Sequence, residues 1–395
     1  MRKSVISLFS LLILASFIAA ACKPAATPTP PPAPVVRPTA TRVVTPTPKP
    51  EWQVKWGNAL AEAKKEGKVS IYALWGQDTR VAVSQAFRDK FGIEAEFTSF
   101  ARGAELLAKV KLEQNAGLNI PDVFGAGGPT FITTMKPAGV LGQIQPLLFL
   151  PEVTDTKMWN GGKLAFSDKE GNSIAMGATA QRFMVYNTNL VKKGEITSYE
   201  DALKPQFKDK ISINDPTVTG SGNAVFSHLA LNVWDVEKTK DFYTRLLRDQ
   251  GAEVIRDNRL QIEVVAKGKH SLGIGGRIAT QAEFLDAGAP IAQVATNDVF
   301  VSHGDGVLGV PPKSPHPNAT LVFVNWILSK EGHAVWVKST GNPGLRVDAP
   351  KEGINPIFFI NPEEKLFLDS EEAILFRGKM ISVAKEVIAA VGKAK

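Results

Sequence analysis

The spacing of hydrophobic residues changes from a helical to a strand period as the chain enters its folded part. Apolar side chains recur at helical spacing over residues 51–66, and Gly67 is a natural stop for that helix. Residues 68–75 (KVSIYALW) follow at once and are rich in β-branched and aromatic side chains. The pattern therefore predicts a helix that leads directly into a buried strand.

The same two patterns recur along the next part of the chain. Asp78 is a suitable N-cap for a helix that Gly92 ends, and residues 93–99 alternate as a strand. Residues 102–116 have the spacing of an amphipathic helix, and residues 121–125 (PDVFG) that of a short strand. Strands separated by helices predict a parallel sheet with right-handed crossovers.

A second α/β unit is predicted further along. Strands are expected at residues 182–188, 210–214 and 271–277, and the last of them runs into a helix at residues 278–287. A long helix is expected at residues 371–391. The folded part exceeds the usual size of one domain, so we expect an α/β fold of two lobes, each a mainly parallel sheet flanked by helices.

The ends of the predicted strands supply the candidate ligand contacts. Ligands of parallel α/β sheets bind at the carboxyl ends of the strands, where helix N-termini present free N–H groups. The expected site is thus a cleft between the lobes, lined by such turns. The candidate ligand-binding residues lie in or beside these turns: Trp75, Gln77, Arg102, Arg182, Tyr186, Ser221, Asn223 and Arg277.

Structural interpretations of these candidates stay open at the level of sequence. Arg102 is suited to a carboxylate or phosphate, or is a solvated first-turn arginine. Arg182 either contacts the ligand or forms an ion pair between the lobes. Trp75 either stacks on a ligand or caps the sheet, and Tyr186 either donates to a ligand or packs in a core. Ser221 and Asn223 either bind ligand or cap their own helix.

The N-terminal residues are typical of an exported protein. Arg2 and Lys3 precede an apolar run over residues 5–18, and small residues lead to Cys22. This is the pattern of a secretory signal at residues 1–21, because the 14-residue run is shorter than the roughly 20 residues of a membrane span. A single membrane anchor helix is the alternative. Cys22 is the only cysteine, which excludes an internal disulfide.

Residues 19–22 resemble the lipobox of bacterial lipoproteins, and this resemblance implies that Cys22 is acylated and anchors the protein. Residues 22–50 then form a linker with ten of the 26 prolines and no aromatic residue, a composition that stays extended. Six of the basic residues lie in residues 1–50, which contain no acid, so the net charge of +7 falls to about +1 for the rest. Such a nearly neutral folded part gives no case for a nucleic-acid partner.

Four stretches together resemble the extracellular solute-binding proteins of ABC importers, in the type II group that includes ferric-ion and polyamine binders. They are residues 56–71 (WGNALAEAKKEGKVSI), residues 102–123, residues 185–222 with the Asn214-Asp215-Pro216 turn, and residues 316–332. The resemblance implies a type II periplasmic-binding-protein fold. Its lobes are joined by a two-strand hinge and close on the ligand.

The resemblance also implies a domain organisation. Lobe 1 covers residues 51–181, with residues 291–348 returning to it, and lobe 2 covers residues 182–290. Residues 349–395 form a C-terminal helical segment, whose packing the sequence leaves open. The implied partners are a small-molecule solute and the permease subunits of the importer. The chain is expected to be a monomer, held by the Cys22 lipid on the outer face of the cell membrane, in the periplasm or at the cell surface.

Metal binding and catalysis find little support in the sequence. Ferric-binding members of this group use adjacent tyrosines, whereas none of the four tyrosines here is adjacent to another, and the five histidines are scattered. No metal or cofactor is expected. His303 and Asp305 could act as a base and its orienter, but no nucleophile lies near them in sequence, and Ser221 is not in a nucleophile elbow.

These observations predict a lipoprotein that captures a small polar or anionic solute and delivers it to a permease, and that is not an enzyme. The alternatives are a ferric-ion binder of the same family, a surface sensor or scaffold, and a secreted hydrolase.

Overall fold

The computed structural model describes residues 48–177, 179–361 and 363–393, so the predicted signal, Cys22 and nearly all of the linker lie outside the described residues. Residues 49 onwards form one compact unit. In the part of the chain that the structure describes, no helix is long and apolar enough to cross a membrane.

Helices and strands alternate through this unit. The helices are α1 (Glu51–Glu66), α2 (Gln77–Phe91), α3 (Gly103–Asn115), α4 (Pro151–Thr154), α5 (Ser221–His228), α6 (Val236–Arg248), α7 (Asn258–Ala266), α8 (Ile278–Asp286), α9 (Pro317–Leu328), α10 (Lys330–Thr340) and α11 (Glu371–Lys393). The strands are β1 (Lys68–Ala73), β2 (Glu94–Ser99), β3 (Val123–Ala126), β4 (Ser173–Ala175), β5 (Thr179–Gln181), β6 (Met184–Asn187), β7 (Ile211–Asn214), β8 (Glu253–Ile255), β9 (Leu272–Ile274), β10 (Ile291–Gln293), β11 (Asp298–Ser302), β12 (Val307–Gly309) and β13 (Lys365–Leu368).

Lobe 1 is built on a five-stranded sheet of order β2-β1-β3-β12-β4. Strands β1, β2 and β3 are parallel, whereas β12 is antiparallel to both of its neighbours, so four of the five strands run the same way. Left-handed glycines end the first two helices as the sequence predicts, with Gly67 at φ 77° and Gly92 at φ 69°. The predicted N-cap Asp78 is wrong, because Gly76 occupies that position and Asp78 lies in the first turn of α2.

Aromatic side chains fill the lobe 1 core between α2 and α9. The Phe87 ring lies 5.2 Å from the rings of both Phe323 and Trp326, in edge and tilted arrangements that aromatic pairs favour. Burying each such side chain contributes about 1.5–3 kcal/mol. The N-terminal helix α1 adds Ala59 and Ala63, whose small side chains let it lie close against α9.

Lobe 2 repeats the arrangement with a sheet of order β10-β6-β9-β7-β8, in which only β6 runs against the other four strands. The mainly parallel sheets expected from the sequence are therefore confirmed in both lobes. Strand β10 pairs with β6, so the expectation that the chain returns to lobe 1 from residue 291 is wrong by several residues. The long helix α11 buries Met380, Ala384 and Val387 in the lobe 2 core.

The two lobes are joined by a small sheet of order β13-β11-β5. Strand β5 leads from lobe 1 to lobe 2, and β11 returns antiparallel to it, with Val301 opposite Ala180. These are the two crossing strands that the resemblance implies. A third strand is added by the C-terminal segment, because β13 pairs in parallel with β11 along residues 298–301. The hinge thus includes backbone from the C-terminal segment, whose packing the sequence leaves open.

A buried ion pair fastens this third strand in place. The Arg182 guanidinium, which directly follows β5, donates to Glu364 through Nε at 2.7 Å and Nη2 at 2.6 Å. It also donates to the carbonyls of Ile357 and Phe359, each at 3.1 Å. Both charged side chains are largely shielded from water, with 7% and 12% of their surface exposed. Four of the five guanidinium donor positions therefore serve the C-terminal segment.

Removing the charge of Glu364 should destabilise the protein strongly, because it leaves the Arg182 cation buried without a counter-charge. We expect Glu364→Gln to lower the free energy of unfolding by about 3–5 kcal/mol, measured by urea denaturation. The matched control is Asp249→Asn, which breaks the exposed Arg248–Asp249 pair and should leave the midpoint nearly unchanged. A loss for Glu364→Gln no larger than that of the control would contradict the structural role of the buried pair.

Candidate functional site

The hinge sheet forms the floor of a cleft of about 340 Å³ beside lobe 2. Gln181 at the end of β5 and Phe300 and Ser302 of β11 contribute to this floor. The remaining lining comes from the strand-end turns of lobe 2 and from α11: Phe183, Thr219, Gly220, Ser221, Ala224, Asn258, Arg277 and Arg377. The cavity therefore lies at strand-end turns of lobe 2 and next to the crossing, on one side of the interlobe cleft that the sequence predicts.

The turn from β7 to α5 is held rigid by Asp215. Its Oδ1 accepts from the Thr217 N–H at 2.8 Å and from the Thr217 hydroxyl at 2.6 Å, while Arg256 donates to Oδ2 at 2.8 Å. Burial acts to raise the pKa of Asp215, but these hydrogen bonds outweigh it and hold the pKa below its usual value. The Asp215 carboxylate therefore fixes the turn that places Ser221 at the cleft.

Helix α5 starts so close to β7 that only glycine fits its first turn. A Cβ on Gly222 would lie 2.3 Å from the Asn214 carbonyl oxygen. The Gly222 N–H donates to Asn214 Oδ1 at 3.0 Å, and the N-cap of α5 is Gly220, which has no side chain to cap the helix. Ser221, half-buried at the N-terminus of the helix, lines the cleft beside this positive dipole end.

Arg277 reaches the cleft from a second strand-end turn. Gly275, at φ 87°, donates its N–H to the Phe183 carbonyl at 2.7 Å and turns the chain from β9 towards α8. Arg277 is the N-cap of α8, makes no side-chain capping bond and is exposed. Its guanidinium and the N-terminus of α8 thus present positive charge on the same wall as α5.

Arg377 adds a second cation to the cleft from the C-terminal helix. Its guanidinium lies over the Phe300 ring, 5.3 Å from the ring centre, and is paired with the buried Asp369. Burial raises the pKa of Asp369, whereas Arg377 and His303 act to lower it. Sequence reasoning missed Arg377, because a helix some 200 residues after the first crossing carries no local signal of where it packs.

The lobe 1 wall is acidic and amide-rich. A shallow cavity of about 320 Å³ is lined there by Trp75, Gln77, Asp78, Asp305 and Asn342, among others. The Trp75 indole is buried and donates to the Asp305 carbonyl at 2.8 Å. A Cβ on Gly125 would lie 2.8 Å from the indole, so this glycine makes room for the ring. Trp75 therefore braces the wall, which is the structural alternative considered for it.

The predicted contacts divide into those that line these cavities and those that do not. Ser221 and Arg277 line the lobe 2 cavity, while Gln77 and Trp75 line the lobe 1 cavity. The prediction that Arg182 contacts the ligand is corrected, because its guanidinium is hydrogen-bonded to Glu364 and to two backbone carbonyls. The predictions for Tyr186 and Asn223 also need correction, whereas Arg102 lines neither cavity and its role stays a prediction.

Each of these three side chains is held or placed elsewhere. Tyr186 lies in β6 and packs in the lobe 2 core. Asn223 is buried and donates to the Pro216 carbonyl at 3.4 Å, so it ties the turn to its own helix. Arg102 is the exposed N-cap residue of α3.

The tyrosines and His303 are engaged within the fold. Tyr72 donates to Glu113 at 2.6 Å, and burial raises the pKa of Tyr72, Tyr199 and Tyr243 above the usual value. In the described ranges, no group of three or more His, Cys, Asp or Glu residues could hold a metal ion. His303 bonds the Gly177 carbonyl at 2.8 Å through Nδ1, so its orienting partner is backbone rather than Asp305.

Comparisons with known proteins agree with this architecture. Residues 82–355 match the family described as bacterial extracellular solute-binding protein. Among solved structures, IdiA (FutA) of Trichodesmium with iron and citrate is 17% identical at a TM-score of 0.63 and covers 82% of this chain and 99% of its own. Iron-bound HitA of Pseudomonas aeruginosa and AfuA of Actinobacillus pleuropneumoniae with fructose-6-phosphate are each 19% identical, at a TM-score of 0.56, with 81% and 99% coverage.

Proposed function

The chain belongs to the bacterial extracellular solute-binding protein family, and from this premise we propose that its solute is a small anion held by Ser221, Arg277 and Arg377. As a member of this family it works outside the cytoplasm, binds a small-molecule solute and passes it to the permease of an ABC importer. The family is one of binding proteins, so we expect the solute to be recovered unchanged.

The observation that carries the proposal is the convergence of positive charge on one wall of the cleft. Arg277 and Arg377 line it together, and α5 and α8 begin beside it with N-cap residues that provide no side-chain cap. Guanidinium groups and uncapped helix N-termini both favour carboxylate or phosphate oxygens. The Ser221 and Thr219 hydroxyls add donors suited to the same oxygens.

Two of the structural relatives support the class of ligand. Citrate is present with iron in the Trichodesmium protein, and fructose-6-phosphate in the Actinobacillus protein. Both are anions. The similarity is too low to transfer either ligand to this chain, so the cleft chemistry remains the reason for the proposal.

Ferric binding is the alternative within the same family. Direct coordination by tyrosinates is disfavoured, because Tyr72 is bonded to Glu113 while Tyr186, Tyr199 and Tyr243 lie in the lobe 2 core. A ferric complex with an anion such as citrate would still use the arginines. Ferric citrate is therefore included beside metal-free anions in the test below.

We further propose that the lobes close on the solute about the hinge strands β5 and β11. Binding that contacts both lobes stabilises the closed arrangement, and the permease then distinguishes loaded from empty receptor. A monomer suffices for this cycle. Residues 22–50 would tether the receptor beside the membrane through acylated Cys22, with an extended reach of roughly 85 Å at about 3.1 Å per residue.

Neutralising Arg277 should weaken anion binding without harming the fold. We expect a thermal-unfolding screen with phosphate, alkylphosphonates, fructose 6-phosphate, citrate and ferric citrate to identify a stabilising anion, since ligand at 100 times its Kd adds about 2.7 kcal/mol. Calorimetric titration of that anion into Arg277→Gln should give an affinity about tenfold lower, near the low end for a charged hydrogen bond because Arg277 is exposed.

Arg248→Gln on the outer helix α6 is the matched control and should bind as the unaltered protein does. The anion proposal fails if Arg277→Gln retains full affinity. It also fails if ferric salts without any organic anion are the sole stabilising additives. If Arg277→Gln binds the solute as tightly as the control protein and the solute is also turned over, the protein is instead an enzyme.

Removing the proposed acylation site should release the protein from membranes. Two acyl chains at Cys22 give stable anchoring, at about 0.8 kcal/mol for each buried CH₂. We expect Cys22→Ser to move the protein from the membrane pellet to the soluble fraction after cell fractionation, with Cys22 unaltered as the control. Retention of Cys22→Ser in the membrane would favour the single anchor helix instead.

A further inference from the structure

The two walls of the cleft carry opposite charges. Among the described residues that line the lobe 2 cavity, the charged side chains are Arg277 and Arg377. Among those that line the lobe 1 cavity, they are Asp78 and Asp305. A site for a simple anion has no use for carboxylates on the facing wall, because they repel the ligand that the arginines attract.

Asp305 is placed firmly at the corner between the two cavities. It follows hinge strand β11 by three residues, in the turn that leads into β12. Gly304 donates to the Ser302 hydroxyl at 3.2 Å, Gly306 donates to the His303 carbonyl at 3.0 Å, and the Trp75 indole holds the Asp305 carbonyl at 2.8 Å. The backbone is thus fixed from three directions, while the residue as a whole remains accessible to solvent and its carboxyl is partly desolvated.

Asp305 lies three residues after Ser302, which lines the lobe 2 cavity together with Arg277. Burial raises the pKa of the Asp305 carboxyl above its usual value, while the positive charge of Arg277 acts in the opposite direction. Neither takes part in an ion pair within 4.0 Å among the described residues. Each charge is therefore open to a ligand that enters between the lobes.

A ligand with charges of both signs satisfies both walls at once. Its anionic group would meet Arg277 and Arg377, and a protonated nitrogen would meet Asp305, with the Gln77 amide beside it. Contacts to both lobes are also what a closing receptor needs, because only a ligand that bridges the walls stabilises the closed arrangement.

We propose that the solute is bipolar, with a carboxylate, phosphate or phosphonate group bound by the lobe 2 arginines and a cationic nitrogen bound by Asp305 of lobe 1. This inference rests on the proposed function and narrows it from anions in general to small zwitterionic compounds. Asp305 is then a specificity-determining residue, since its charge selects for the amine and against the same anion without it.

The test uses pairs of compounds that differ only in the amine. Suitable pairs are 2-aminoethylphosphonate with ethylphosphonate, 3-aminopropylphosphonate with propylphosphonate, and 4-aminobutyrate with butyrate. Calorimetric titration of the full chain without its signal should give a Kd at least about tenfold lower for the amine-bearing member of the best-bound pair, as expected for a charge-assisted contact.

Two variants separate the roles of the walls. In Asp305→Asn the advantage of the amine should shrink to less than about threefold, and the amine-free member should bind as well as before or better. In Arg277→Gln both members should weaken together. Asp89→Asn, an exposed carboxylate on α2 that is bonded to Gln85, is the matched control and should change neither Kd. Circular dichroism and thermal midpoints verify that each variant is folded.

Each remaining outcome counts against one identified claim. Equal affinity within every pair overturns the bipolar ligand but leaves the anion proposal intact. If Asp305→Asn strengthens both members equally, Asp305 merely offsets the charge of Arg277 and the inference is wrong. If neither these compounds nor the metal-free anions tested above bind, the proposed function fails and the inference fails with it.

Discussion

The geometry of the cleft depends on the burial of the Arg182 guanidinium against the C-terminal segment. Because an unpaired cation in that position would be costly, Glu364 and two carbonyls must remain in contact with it. The pair holds the segment that ends in β13 beside the returning hinge strand. From there α11 runs along lobe 2 and delivers Arg377 to the cleft. A buried charge on the crossing strand thus leads, through one strand and one helix, to a cation at the proposed binding wall.

The charged residues of the cleft differ from this buried ion pair. Arg182 is hydrogen-bonded and shielded, whereas Arg277 and Asp305 are exposed residues that form no ion pair with another described residue. Charges that stay open to water cost little in the empty protein and gain strength when a ligand displaces that water. The helix α11 also touches lobe 1, because Lys136 pairs with Glu371 at 2.5 Å. The C-terminal segment therefore contacts both lobes as well as the hinge.

Local signals explain what the sequence predicted well. Helix α1 and its stop at Gly67 follow from apolar spacing and a left-handed glycine, and the strand-end turns that place Ser221 and Arg277 follow from the alternation of strands and helices. Contacts between residues far apart in sequence explain the features that could not be predicted. Arg182 and Glu364 lie 182 residues apart, so sequence offered ligand and ion pair as equal interpretations. Arg377 and Asp305 reach the cleft only through the packing of α11 and the β11–β12 turn, for which neither periodicity nor a motif gives a signal.

The most direct test of the account is the distance between the lobes with and without solute. Spin labels at Val81→Cys on α2 and Leu260→Cys on α7, both exposed, report this distance in a Cys22→Ser background that contains no other cysteine. Pulsed dipolar spectroscopy on the doubly labelled protein should show a shorter and narrower distance distribution when a binding anion is added. When Arg277 is also replaced by glutamine, the same change should require about tenfold more ligand. An unchanged distribution at saturating ligand would contradict binding between the lobes.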